Sequence, residues 1–62
     1  MKIKIKSFNG ELPSYLTIGK VYKASRLSND LFGFRSDDGR SMIATFKQSA
    51  HLNGGSWEVV SD

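Results

Sequence analysis

The chain has no cysteine, one proline and one histidine, and no apolar run approaches the roughly 18–20 residues that a membrane-spanning helix requires. Without thiols there is no disulfide framework, no thiolate zinc or iron–sulfur centre and no cysteine nucleophile. Secreted domains of this size lean on disulfides, so a reducing, cytoplasmic setting is expected. The start Met1-Lys2-Ile3-Lys4-Ile5-Lys6 is basic, but no apolar stretch of the signal-peptide kind follows it, and no membrane partner is expected. Helical periodicity is missing as well: no window of ten residues repeats apolar side chains at i, i+3, i+4 and i+7. There is no internal repeat and no low-complexity segment.

With 62 residues the chain is expected to be one domain over 1–62. A domain of about this length buries only roughly 60% of its unfolded surface, so its core is thin. A thin core is a poor support for a catalytic site built from several buried charges. The 39% hydrophobic and 24% charged fractions place it with folded globular chains rather than disordered ones.

What is present alternates with period two. Residues 2–6 read Lys-Ile-Lys-Ile-Lys, which puts Ile3 and Ile5 on one face of a strand and three lysines on the other. Asn9 to Ser14 holds turn formers and the proline, and is read as a loop. Gly19 is the expected kink or positive-φ position before a second strand, Lys20–Leu27. Ser28-Asn29-Asp30 is a turn, and Leu31–Arg35 is a third strand with Phe32 and Phe34 two apart. Asp38-Gly39 between two strand-like runs predicts a hairpin closed by a type I′ turn, with Ser41–Phe46 as the partner strand. Lys47–Ser56 is polar and is read as a flexible-looking loop with room for one short helical turn. Trp57–Val60 is the last strand.

Five short strands and no helix-length segment define an all-β domain. In so short a chain they are expected to curl into a small, partly open barrel that buries one face of each strand. The expected core is Ile3, Ile5, Leu16, Ile18, either Val21 or Tyr22, Phe32, Phe34, Ile43, Phe46, Trp57 and Val59.

The run Leu16-Thr17-Ile18-Gly19-Lys20-Val21-Tyr22, the later Asp37-Asp38-Gly39 turn and the closing Trp57-Glu58-Val59-Val60 resemble the layout of small SH3-like barrel proteins common in bacteriophages and prophages. The resemblance spans residues 16–60. It implies a five-stranded SH3-like barrel and a phage or prophage origin, and it brings no catalytic residue with it. Lys47–Ser56 departs from the pattern, since such proteins often carry a tyrosine-containing strand end there. A fold likeness by itself carries no function.

The chemistry-bearing residues are sparse. His51 has no Gly-x-Ser-x-Gly elbow or other nucleophile motif beside it, and one histidine without cysteine leaves only carboxylates for a metal. Adjacent Asp37 and Asp38 read as turn residues, and Gly19-Lys20 lacks the rest of a phosphate-binding loop. No enzyme activity, cofactor or metal is therefore expected.

Charge is the stronger signal. The net +3 divides unevenly: residues up to Arg26 hold six bases and one acid, the rest three bases and five acids. Lys2, Lys4 and Lys6 form a stripe about 14 Å long at roughly 3.4 Å per residue. One reading of that stripe is protection of an exposed sheet edge; the other is recognition of an acidic surface or a phosphate backbone. The candidate partner-binding residues are Lys2, Lys4, Lys6, Lys20, Lys23, Arg26 and Tyr15. The leading expectation is a non-enzymatic binding module that engages a host protein as an inhibitor or modulator. The alternative is a nucleic-acid-binding module that uses the basic N-terminal half, with Tyr15 and Tyr22 as stacking surfaces.

Overall fold

The alternating Lys-Ile repeat forms strand β1 (Lys2–Ser7), with Ile3 and Ile5 buried and Lys2 and Lys6 exposed, as its period demands. It is followed by β2 (Tyr22–Arg26), β3 (Leu31–Arg35), β4 (Ser41–Thr45) and β5 (Ser56–Ser61), with a 3₁₀ turn at Ala50–Leu52. These elements come from a computed structural model that describes residues 1–61. All five strands belong to one antiparallel sheet in the order β4-β3-β2-β1-β5. The all-β, five-stranded reading holds. The sheet curls without a continuous ladder between its two edges, β4 and β5. Among the described residues, the chain around them meets where the Trp57 backbone N–H donates to the Phe46 carbonyl (2.9 Å), just past β4, and across a Ser49–Gly55 bridge outside the strands.

This order overturns one reading of the lysine stripe. β1 is paired on both sides, to β2 and to β5, so Lys2, Lys4 and Lys6 protect no edge. The β4 edge is blunted instead by His51, whose Nε2 donates to the Ile43 carbonyl (3.1 Å).

The concave face holds the core: Ile3, Ile5, Leu16, Tyr22, Phe32, Phe34, Ala44, Leu52 and Trp57. Phe46 packs against it while partly buried. Tyr22, not Val21, faces inward. Three expected core residues are outside. Ile43 is 62% exposed, because β4 buries the other parity, Met42 and Ala44, opposite Phe34 and Phe32. Ile18 is 54% exposed at the corner of a Thr17–Lys20 turn whose third residue is Gly19 at φ +83°. Val59 pairs with Ile3 but lies at the unclosed mouth of the curl beside Arg26 and Phe46.

The hairpin turn also differs from the type I′ expectation. Gly39 has φ +83°, but Asp38 is not in the positive-φ region that type I′ requires. Gly39 N–H donates to the Ser36 carbonyl and Ser36 N–H to the Arg40 carbonyl, both at 3.0 Å. The loop is thus one residue longer, a tight turn followed by a left-handed glycine that makes a bulge.

The 47–56 segment is not a loose loop. Its 3₁₀ turn buries Leu52 completely, and Ser49 is buried with its Oγ accepting from the Trp57 indole N–H (3.3 Å). Asn53 adopts φ +54°, and its amide donates to the carbonyls of Asn9 (2.7 Å) and Glu11 (3.3 Å). Of the glycines, Gly55 passes closest to other backbone. A Cβ there would come within 2.6 Å of the Phe8 Cα and 2.7 Å of the Ser7 carbonyl carbon, and these are backbone atoms that cannot swing aside.

Two substitutions separate conformational from steric demands on glycine. Gly39→Val meets no atom within 4 Å, so its cost is the positive φ alone, about 1–3 kcal/mol. Its melting temperature should fall by at least about 4–8 °C. Gly55→Ala keeps an ordinary φ but collides with backbone. It should lower the urea midpoint further than Gly39→Val, at or beyond the roughly 1–3 kcal/mol of ordinary overpacking. Equal midpoints for Gly55→Ala and wild type would refute the crossing.

Candidate binding surface

With the aromatic side chains turned inward, the convex face carries the alternate residues of each strand. Lys2 of β1 stands directly opposite Lys23 of β2. The β2–β3 register pairs Ala24 with Phe34, which brings Lys23 beside Arg35 one step along. Lys2, Lys23 and Arg35 therefore make a row of three cations across three neighbouring strands, with adjacent side chains about 4.5–5.5 Å apart at Cβ. All three are exposed, and none has an ion-pair partner among the described residues. Like charges placed directly opposite weaken a sheet, so packing does not explain this row.

Next to the row the convex face is hollow. Lys23, Ser25, Gly33, Arg35, Ser41 and Ile43 line an open groove of about 620 Å³. Its floor is Gly33, in the middle of β3. Leu27 (55% exposed) reaches over the same spot, and Ile43 forms a wall.

The candidate residues from the sequence divide into two groups. Lys2 and Lys23 belong to the row, and Lys6 is exposed further along β1. Lys4 is tied to Glu58 (Nζ–Oε1 3.4 Å), its cross-strand partner on β5. Lys20 is drawn into an ion pair with Asp37 (2.6 Å). Arg26 leaves the convex face altogether and lies over the Phe46 ring, 4.9 Å from its centroid, at the open mouth. The Tyr15 hydroxyl is hydrogen-bonded to Nδ1 of His51 (2.9 Å). Arg35 and Gly33 were missed. The inward Phe32 and Phe34 imply that Leu31, Gly33 and Arg35 share the outward face, but the neighbours of Arg35 depend on strand register, which no local pattern carries.

Among the described residues Asp37 is the charge with the most side-chain partners. Its carboxylate accepts from Thr17 Oγ1 (2.6 Å), Lys20 Nζ (2.6 Å) and the Tyr22 hydroxyl (3.0 Å), while that hydroxyl accepts from the Thr17 N–H (2.8 Å). The Asp37 backbone N–H donates to the Tyr15 carbonyl (2.9 Å). The hairpin tip is thereby braced against the loop before β2. The Lys20 ammonium, and after it the Thr17 hydroxyl, hold the Asp37 carboxyl below its ordinary 3.8. The hydrogen bond to Asp37 raises Lys20. Burial, first of all, raises the Tyr22 phenol. Asp38 is lowered by Ser36, whose hydroxyl donates to it, and it faces Arg40 at 3.5 Å. These groups cross-brace the loops.

Among the described residues no three His, Cys, Asp or Glu side chains gather closely enough to hold a metal ion, and no helix is long and apolar enough to cross a membrane. Both ring nitrogens of His51 are engaged by Tyr15 and Ile43. No protein-family model matches the chain, and neither a curated protein nor a solved structure does.

The Asp37 brace has a defined pH signature. A carboxyl whose folded pKa lies below its unfolded value stabilises the fold fully above the unfolded value, near 3.8 here. That stabilisation is lost as pH falls through the folded pKa. Asp37→Asn should therefore be less stable than wild type at neutral pH, and the gap should close as pH drops below 3.8. Urea midpoints measured across the acid range check this; a gap that stays constant with pH would refute it.

Proposed function

We propose that the chain is a non-enzymatic binding module that acts in the cytoplasm and engages an acidic surface of a host protein, inhibiting or modulating it. The sequence resembles small SH3-like phage and prophage proteins, a likeness that implies a fold and an origin and carries no function by itself. The single observation that carries the reading is the row Lys2, Lys23 and Arg35. These like charges are adjacent on exposed strands, and the fold gains nothing from having them together. An acidic partner neutralises the row and gains association rate from it.

A phosphate backbone would meet the same charges, and nucleic acid is the second reading. It lacks its aromatic surfaces. Tyr22 is buried at 4% exposure, and Tyr15 is half-buried and bound to His51, so neither offers a free face to a base.

The test replaces Lys2, Lys23 and Arg35 together with Gln, substitutions on exposed positions that leave the core untouched. Wild type should bind a labelled acidic peptide of alternating Glu and Asp, and the triple variant should associate with it several-fold more slowly. A labelled single-stranded DNA of twenty nucleotides should bind wild type more weakly than about 10⁻⁴ M at physiological salt. Micromolar, salt-sensitive DNA binding that vanishes in the triple variant would replace the protein-partner reading with the nucleic-acid one.

A further inference from the structure

Gly33 is the least expected residue on the convex face. It lies in the interior of β3, where glycine weakens a strand, and its φ is not positive, so the backbone does not require it. Packing does not require it either. A Cβ at this position would meet only the Met42 carbonyl oxygen at 3.7 Å and Leu27 Cδ1 at 3.8 Å, both ordinary contacts. The missing side chain leaves the groove open; glycine inside a strand is found at bulges, at tight bends and where a ligand or another backbone comes close, and the pairing of β3 runs through Gly33 without a register shift, so it marks no bulge.

What surrounds the groove describes its occupant. Gly33 and Ile43 line it, and Leu27 stands at its margin with Cδ1 3.8 Å from where a Gly33 Cβ would be; the two hydrophobic side chains, Leu27 and Ile43, are 55% and 62% exposed. The cations Lys23 and Arg35 line the same groove, Arg35 being two residues from Gly33 on the same face of β3. Among the described residues, no acidic side chain lines it.

We propose that this groove docks an acidic segment of a partner protein, seating one large aliphatic or aromatic side chain over Gly33. Carboxylates on one side of that anchor meet Arg35 and Lys23, which stand together in the row beside Gly33, with Lys2 extending that row. The charges supply attraction and orientation. The anchor, desolvated in the centre of the patch, supplies the tight contact. This rests on the reading of the convex face as a surface for an acidic protein and adds to it the part that selects among acidic partners.

The experiment compares two labelled peptides of equal charge, alternating Glu and Asp, one of them with a single central Leu. Each is titrated against wild type, Gly33→Val and Ile43→Ser. Gly33→Val fills the groove with a residue that suits a strand, and Ile43→Ser removes an exposed wall, so circular dichroism should show both variants folded. Wild type should bind the Leu peptide about tenfold more tightly than the all-acidic one. Both variants should bind the two peptides equally, at the all-acidic level. Equal binding of the two peptides by wild type would overturn the anchor and leave the acidic-partner reading standing. Failure of both peptides to bind would overturn both. A wild-type dimer in sedimentation that becomes monomeric on Gly33→Val would show that the groove is filled by a second copy, and would also overturn the proposal.

Discussion

Trp57 joins the two edges of the sheet by its backbone and its side chain at once. The main-chain N–H donates to the Phe46 carbonyl just past β4, and the indole N–H donates to the buried Ser49 hydroxyl. Its ring lies 5.1 Å from Phe34, 5.6 Å from Phe32 and 6.0 Å from Tyr22, centroid to centroid. Ring pairs at such spacings contribute about 0.5–1.5 kcal/mol each beyond the area they bury. In a core of nine buried hydrophobic residues, this cluster fills the inside of the curl. A flat sheet of this length would have no inside.

The curl determines what the loops must do. Gly55 passes directly over the Ser7–Phe8 backbone so that β5 can pair with β1, and Asn53 and Asn9 exchange hydrogen bonds to hold that crossing. At the other end Asp37 ties the β3–β4 hairpin to Thr17, Lys20 and Tyr22, so the segment before β2 is braced although it has no regular structure. Charged residues that looked available for a partner are used here for support. Lys20 is the clearest case.

The convex face is what remains after the aromatic side chains have gone inside. It carries a like-charged row that the fold does not need and a hollow that neither backbone strain nor packing requires. Its exposed apolar side chains, Leu27 and Ile43, stand beside cations that have no ion-pair partner among the described residues.

The chain's own pattern was enough for class and for most of the inside. Period-two alternation marked β1 with Ile3 and Ile5 inward, the pair Phe32 and Phe34 marked β3, and the absence of helical spacing excluded a helical fold. These are properties of single strands, and single strands carry them locally. Everything that depends on which strand lies beside which was decided by tertiary structure. The parity of β4 left Ile43 outside, and Leu52 was recruited from a segment that reads as polar. The burial of β1 between two neighbours removed its lysines from any edge. The cationic row draws on residues 2, 23 and 35, and only the register of three strands brings them together. A one-residue slip would send every one of those side chains to the other face, and nothing in a strand's own sequence encodes its partner's register.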